Sequence, residues 1–190
     1  SAEMQAMARL NVFTYVPRSS IPVGAKIIRC RWVFKVKPDK LKSRLVICGY
    51  LQDVSGVETF SPTMKLVTVR LLFALAAFLG WQVHTLDVCN AFLNAPLEGE
   101  PIYMHCVQGF DEFGMVIKLN KALYGLKNAP REWHSTLTDY FFRIGLRKSV
   151  LDSCLFLLVK DDKVVLLIGV HVDDLLMVGM PRYVDWMRQK

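Results

Sequence analysis

Hydrophobic and polar positions change period several times along the chain. Residues 3–10 read as the end of a short helix. From 25 to 37, "AKIIRCRWVFKVK", the pattern alternates. Ile28, Cys30, Trp32, Phe34 and Val36 share one face, and Arg29, Arg31, Lys35 and Lys37 share the other. A period of two predicts a half-buried strand with a cationic outer face. "PDK" (38–40) is a turn signal, and "KSRLVICGY" (42–50) reads as the returning strand of a basic hairpin. "TVRLLFALAAFLG" (68–80) predicts a helix, with Thr68 as N-cap and Gly80 past its end. It is apolar nearly all round, which predicts deep burial. "WQVHTLDV" (81–88) and "MVIKL" (115–119) read as strands, and "CNAFLN" as a short helix. "NAPREWHSTLTDYFFRIG" (128–145) predicts a helix capped by Asn128, with Pro130 in its first turn and Gly145 at its end. Its buried stripe is Trp133, Leu137, Phe141 and Ile144. Two apolar strands flank "KDDK", and "LLMVG" follows.

This order of hairpin, helix, strand, short helix, strand, helix and antiparallel strands is not a βαβ alternation. It predicts an α+β fold with helices packed on one face of an antiparallel sheet. The 190 residues suit one domain with a real core, of one or two lobes, and 53% hydrophobic with 22% charged residues excludes disorder. No apolar run approaches the roughly 20 residues of a membrane span, and the first residues show no signal pattern. The expectation is an intracellular protein, in a cytoplasmic particle or the nucleus, neither secreted nor membrane-bound. Five widely spaced cysteines without a CxxC pair argue against a zinc site or disulfide framework, and the four histidines form no HxxxH or HxH pair. The net charge of +7 is unevenly placed: residues 1–52 hold ten Lys or Arg against two acids. A basic lobe suits a polyanion such as nucleic acid or a triphosphate; a solubilising face is the plainer alternative.

Two Asp-Asp pairs differ in their surroundings. Asp161–Asp162 in "VKDDKV" lies between lysines and reads as an exposed hairpin turn. Asp173–Asp174 in "GVHVDDLLMVG" has apolar residues on both sides. Burying two adjacent carboxylates is costly, so either a sharp turn lifts them into water or a cation binds them. Asp87 in "TLDVCNAF" ends a strand; it is either a cap or a third carboxylate meeting the pair across neighbouring strands. Three carboxylates with few other ligands suit magnesium, which keeps waters and substrate phosphates. Two such ions can activate a 3′-hydroxyl and stabilise a leaving pyrophosphate.

"ETFSP", "LDVCNAFL", "KALYGLKNAPREW" and "HVDD", in that order, strongly resemble the reverse transcriptase domain of copia-type LTR retrotransposons. "RCRWVFKVK", "SRLVICGY", "TVRLLFALAA" with "GWQVHTLDV", "YM" followed by "QGF", and "SVLDSCLF" extend the resemblance over nearly the whole chain. It implies fingers and palm subdomains, with residues 1–80 mainly fingers-like and 81–190 mainly palm-like. "LYGLKNAPR" would lie at their junction, and nothing in the chain would supply a thumb. It also implies that Asp87, Asp173 and Asp174 bind two Mg²⁺ ions, with Mn²⁺ as a substitute, for transfer of dNTPs to a DNA primer on an RNA template. By the same resemblance Phe92 is the steric gate beneath the sugar 2′ position. Lys37 and Arg44 grip the triphosphate, Arg as a bidentate partner and Lys as a mobile point charge. Tyr124, Gly125 and Lys127 contact the nascent base pair, and His171, Arg29 and Arg31 face primer and template.

The chain departs from the family pattern in places. His171 stands where the family carries Tyr, the fingers hairpin has only "PDKLKS" in its turn, and "NAPRE" replaces the commoner "QAPRA". Two readings therefore stay open. One is an RNA-directed DNA polymerase domain that works with thumb and RNase H segments of the same polyprotein. The other is a truncated or domesticated remnant that only binds nucleic acid. Oligomeric state is not legible.

Overall fold

Local sequence accounts for most elements. In chain order they are α1 (Ala2–Arg9), β1 (Phe13–Pro17), β2 (Ile27–Ile28), β3 (Cys30–Val36), β4 (Leu41–Ile47), α2 (Leu66–Leu79), β5 (Gln82–Asp87), β6 (Tyr103–Met104), β7 (Met115–Leu119), α3 (Ala129–Arg143), β8 (Arg147–Lys148), β9 (Leu155–Lys160), β10 (Lys163–His171), β11 (Asp174–Gly179) and α4 (Pro181–Arg188). They belong to a computed structural model that describes residues 2–36, 38, 41–110 and 112–190. The chain divides into two compact units: residues 1–60 with 90–133, and residues 61–89 with 134–190.

The first unit holds a four-stranded sheet in the order β1-β7-β6-β2, antiparallel except for the β2–β6 pair. It also holds the basic hairpin, β3 paired with β4 from Cys30↔Ile47 to Val36↔Leu41. The alternation here is real but burial does not follow it. Trp32 is half-buried and stacks on Phe34 with ring centroids 6.3 Å apart. Phe34 and Val36 are themselves exposed, at 74% and 78%. Alternation makes a strand; burial needs a covering layer, which on this ribbon reaches Leu45 and Ile47 but not Phe34, Val36 or Leu41 at the other end. The turn at 39–40 lies outside the described residues.

The second unit is a five-stranded antiparallel sheet in the order β5-β11-β10-β9-β8. Helices cover both of its faces, not one as the sequence suggested. Leu155, Leu167, Leu176 and Val178 pack under Leu72 and Ala76 of α2. Phe156, next to Leu155 and so on the opposite face, packs edge-on against Phe141 of α3, with centroids 4.8 Å apart. The β10 strand is buried from Val165 to Val170 without alternation, as a doubly covered strand must be.

Two details of α2 differ from expectation. Its buried residues are Thr68, Leu72 and Ala76, flanked by half-buried Val69 and Leu75, while nearly half of its circumference is open. Its N-cap residue is Lys65, not Thr68, and the capping group comes from a distant loop. Asp152 accepts the Lys65 N–H at 3.0 Å, the Thr68 hydroxyl at 2.5 Å and the Cys154 N–H at 2.9 Å. Burial alone would raise the Asp152 pKa; the hydrogen bonds from Thr68, Cys154 and Lys65, with the charge of Lys65, outweigh it and hold the carboxyl below the usual range. A depressed folded-state pKa contributes stability that is present above the unfolded value near 3.8 and lost as pH falls through the folded value. Asp152→Asn is therefore expected to cost about 1–3 kcal/mol at pH 7. In denaturant titrations the gap to the parent should close as the pH drops below about 4. A gap independent of pH would rule out the charged cap. The α4 helix was not anticipated; Pro181 at its first turn was its available signal.

Candidate active site

The carboxylates are set by a hairpin and its neighbour. Strands β10 and β11 pair down to His171↔Asp174, leaving Val172 and Asp173 as a two-residue turn. Val172 has φ +58°, while Asp173 is not among the positive-φ residues, the pattern of a II′ turn that favours Gly at its first central position. The lysine-flanked pair behaves differently. Lys160↔Lys163 closes a turn in which Asp161 and Asp162 both have positive φ, 49° and 57°, as an ordinary I′ turn requires. A β-branched residue in the left-handed region is strained. Val172→Gly is expected to raise stability by about 1 kcal/mol, read as a shift in the denaturant midpoint. An unchanged midpoint would mean that Val172 is not strained.

Strand β11 pairs with β5 so that Asp174 lies directly opposite Asp87, and the Val88 N–H donates to the Asp173 carbonyl at 2.9 Å. Three carboxylates from segments more than eighty residues apart thus meet at one end of the sheet. Asp87 and Asp174 are exposed and Asp173 is half-buried. Like charges directly opposite on a strand pair are destabilising. Among the described residues the ion pairs are Arg131–Glu132 and Arg188–Asp185, so no basic side chain neutralises the cluster. The carboxylate oxygens do not converge on a point: among the described residues no three His, Cys, Asp or Glu side chains stand ready to hold an ion. As a donor set, carboxylate oxygens on two adjoining strand ends fit a hard divalent cation that keeps waters of its own.

In the first unit three further candidates form one stack. The Arg44 guanidinium lies 4.8 Å from the Tyr124 ring centroid, and that ring meets Phe92 edge-on at 5.1 Å. Arg44 is half-buried and its Nε is buried without a hydrogen-bond partner. On the same face of the hairpin lie Arg31, Lys35 and Lys42, and Lys35 and Lys42 are directly opposed. Gly125 holds this stack to the hairpin. It has φ +97°, its neighbour Tyr124 accepts the Ile47 N–H at 2.9 Å, and a Cβ there would overlap the Ile47 carbonyl. Gly49 approaches the Gly125 carbonyl just as closely.

Comparison with known proteins decides the family. Residues 11–184 match the model of the reverse transcriptase (RNA-dependent DNA polymerase) family. The chain belongs to that family. It is 36% identical over 188 residues, 93% of its length, to the retrovirus-related Pol polyprotein from transposon TNT 1-94 of Nicotiana tabacum. It is 40% identical over 169 residues, 83% of its length, to that from transposon RE1 of Arabidopsis thaliana. The more distant Ty1-H Gag-Pol polyprotein of Saccharomyces cerevisiae is 28% identical over 159 residues, 80% of the chain. The chain spans 14%, 11% and 8% of the lengths of these three relatives. It is a copia-type reverse transcriptase domain.

The remaining candidates of this reverse transcriptase domain are spread over both units. His171 is exposed at the neck of the β10–β11 hairpin. Arg29 and Arg31 are exposed and line a cavity of about 460 Å³ with Trp32, Phe34 and His105. Lys37 lies outside the described residues. Lys127 is held in place: its N–H donates to the Gln52 side-chain oxygen at 2.8 Å and its ammonium to the Gln52 carbonyl at 3.1 Å. Sequence reasoning missed the buried polar network behind it. Gln52 Nε2 donates to Asn128 Oδ1 at 3.0 Å, and Asn128 Nδ2 donates to Glu132 Oε1 at 3.2 Å. Asn128, read as a helix cap, thus locks the "LYGLKN" segment to residue 52. No local pattern announces this, because Gln52 sits in an unremarkable loop; the "NAPRE" spacing of Asn128 and Glu132 was the only available clue.

Proposed function

We propose that this domain is an RNA-directed DNA polymerase that adds deoxynucleotides to a primer 3′-end. The first unit serves as fingers and the second as palm, and the work is done inside cells with the rest of a Pol polyprotein. The observation that carries this reading is the Asp87↔Asp174 register beside the Asp173 turn. It accepts electrostatic repulsion at a strand end that no ion pair among the described residues relieves. Asp87, Asp173 and Asp174 would hold two Mg²⁺ ions, or Mn²⁺ in their place. When bound, these supply activation of the primer hydroxyl and charge neutralisation on the pyrophosphate. Arg44 orients the triphosphate: its guanidinium is pre-set against Tyr124 and carries a buried N–H with nothing to donate to. Phe92, braced by Tyr124, blocks a ribose 2′-hydroxyl. Gly125 and Lys127 shape the floor under the nascent pair. Arg29 and Arg31 with the Trp32–Phe34 stack suit a single-stranded template, whose bases stack on rings and whose phosphates meet cations.

The test is primer extension on an RNA template with dNTPs and Mg²⁺. Product that lengthens with time supports the polymerase. Salt-sensitive binding without extension, in Mg²⁺ or Mn²⁺, overturns it and leaves a nucleic-acid-binding module resting on Arg31, Lys35, Lys42 and Arg44. Arg44→Ala is expected to raise the KM for dNTP about tenfold or more with a smaller change in template affinity, because charge-assisted phosphate contacts are worth about 1.5–3 kcal/mol. An unchanged KM would remove Arg44 from the nucleotide site.

A further inference from the structure

Helix α2 is covered along one side only. Opposite the Thr68–Leu72–Ala76 stripe it exposes Leu66, Val67, Arg70, Leu71, Phe73, Ala74, Ala77 and Phe78. At 100° per residue these fall on one continuous face, nearly half the circumference, with Arg70 as its single charge. Exposure is high where it counts: Phe78 is 86% open, Val67 69% and Leu66 64%. Aromatic side chains offer about 150–250 Å² each and aliphatic ones somewhat less, so the face leaves on the order of 600 Å² of apolar surface in water. That is the upper limit of the largest patch on an ordinary monomer, about 300–600 Å². Two such faces would together bury on the order of 1,200 Å², the lower end of the roughly 1,200–2,000 Å² range of stable interfaces.

We propose that this face is a homodimer interface, with α2 of one copy lying antiparallel on α2 of a second about a two-fold axis at Ala74. The residue pattern is self-complementary in that arrangement. Ala74 meets Ala74 of the other copy, which lets the helices approach closely. Leu71 meets Ala77, so a large side chain fills the space over a small one. Arg70 meets Phe78, which keeps the two guanidinium groups apart and sets each over a ring. Closed two-fold pairing of one patch with itself also explains why the face is almost uncharged. The inference is independent of the polymerase reading, since it uses no residue of the carboxylate cluster or the Arg44 stack.

Sedimentation equilibrium of the chain across a micromolar concentration series is expected to show a reversible dimer. Ala74→Glu sets two charges on the axis and should raise the dimer dissociation constant about 30-fold or more with an unchanged far-ultraviolet spectrum. In a Cys89→Ser background, Ala74→Cys should form an intermolecular disulfide on mild oxidation, whereas Arg70→Cys, displaced from the axis, should not. A chain that stays monomeric, or a dimer that survives Ala74→Glu, overturns the proposal. So does a monomer in which the Ala74→Cys thiol resists maleimide, because its own residues would then cover the face.

Discussion

Asp173→Asn and Asp87→Asn are each expected to lower primer extension by about 10³-fold or more while leaving the fold intact and nucleic acid bound. Asparagine keeps the size and the hydrogen-bonding geometry of aspartate and removes only the charge. Asp174 lies opposite Asp87 in a regular antiparallel pair, so the native arrangement sets like charges face to face. Directly opposed like charges cost up to about 1 kcal/mol. A purely structural carboxylate would lose stability on becoming an amide; here Asp87→Asn is expected to leave thermal stability equal or slightly raised. Loss of activity without loss of stability is the signature of a site that keeps repulsion for function. Asp161→Asn and Asp162→Asn, at the I′ turn between Lys160 and Lys163, supply the control and should change neither quantity. Undiminished extension in Asp87→Asn, or a destabilised Asp87→Asn protein with normal specific activity, would show that this strand end serves the fold.

Gly125→Ala is expected to destabilise the first unit by more than about 4 kcal/mol, enough to unfold it. Two costs combine. The residue sits at φ +97°, where an L side chain is strained, and its Cβ would overlap the Ile47 carbonyl and the Val46 side chain. Neither neighbour can retreat easily, because the Ile47 N–H is held by the Tyr124 carbonyl and Ile47 is buried in the core. Gly24→Ala is the matched control. Gly24 has φ +88° but nothing within 4 Å of the added carbon, so only the backbone term, about 1 kcal/mol, should appear. Far-ultraviolet circular dichroism against denaturant reads both. A mild Gly125→Ala would mean that the hairpin base and the 124–125 segment are not locked together, and with them the Arg44–Tyr124–Phe92 stack would lose its anchor.

Local pattern was a good guide wherever one residue's neighbours in sequence decide its state. The β3–β4 and β9–β10 hairpins, the α3 helix with its Trp133, Leu137 and Phe141 stripe, and the Gly80 left-handed end of α2 are of this kind. Periodicity did not show which faces become covered. Phe34 and Val36 alternate like core residues yet stand in water, because only the end of their ribbon with Leu45 and Ile47 is covered. The apolar face of α2 shares that ambiguity, since pattern alone cannot distinguish a core from an interface. The Asp152 cap and the Gln52–Asn128–Glu132 network were also hidden, because each joins residues whose separation carries no local mark.

By itself the sequence determined that this is a copia-type reverse transcriptase domain with three unusual carboxylates and a basic hairpin. Those properties reside in residue order, charge and period, which survive without coordinates. Only the tertiary structure decided that Asp174 is set against Asp87 rather than one residue to either side, that Val172 carries the strain of the turn, and that Arg44 rests on Tyr124. Strand register and close backbone approach are set by the packing of distant segments. A one-residue slip there leaves the sequence unchanged but would move every side chain to the other face of the sheet.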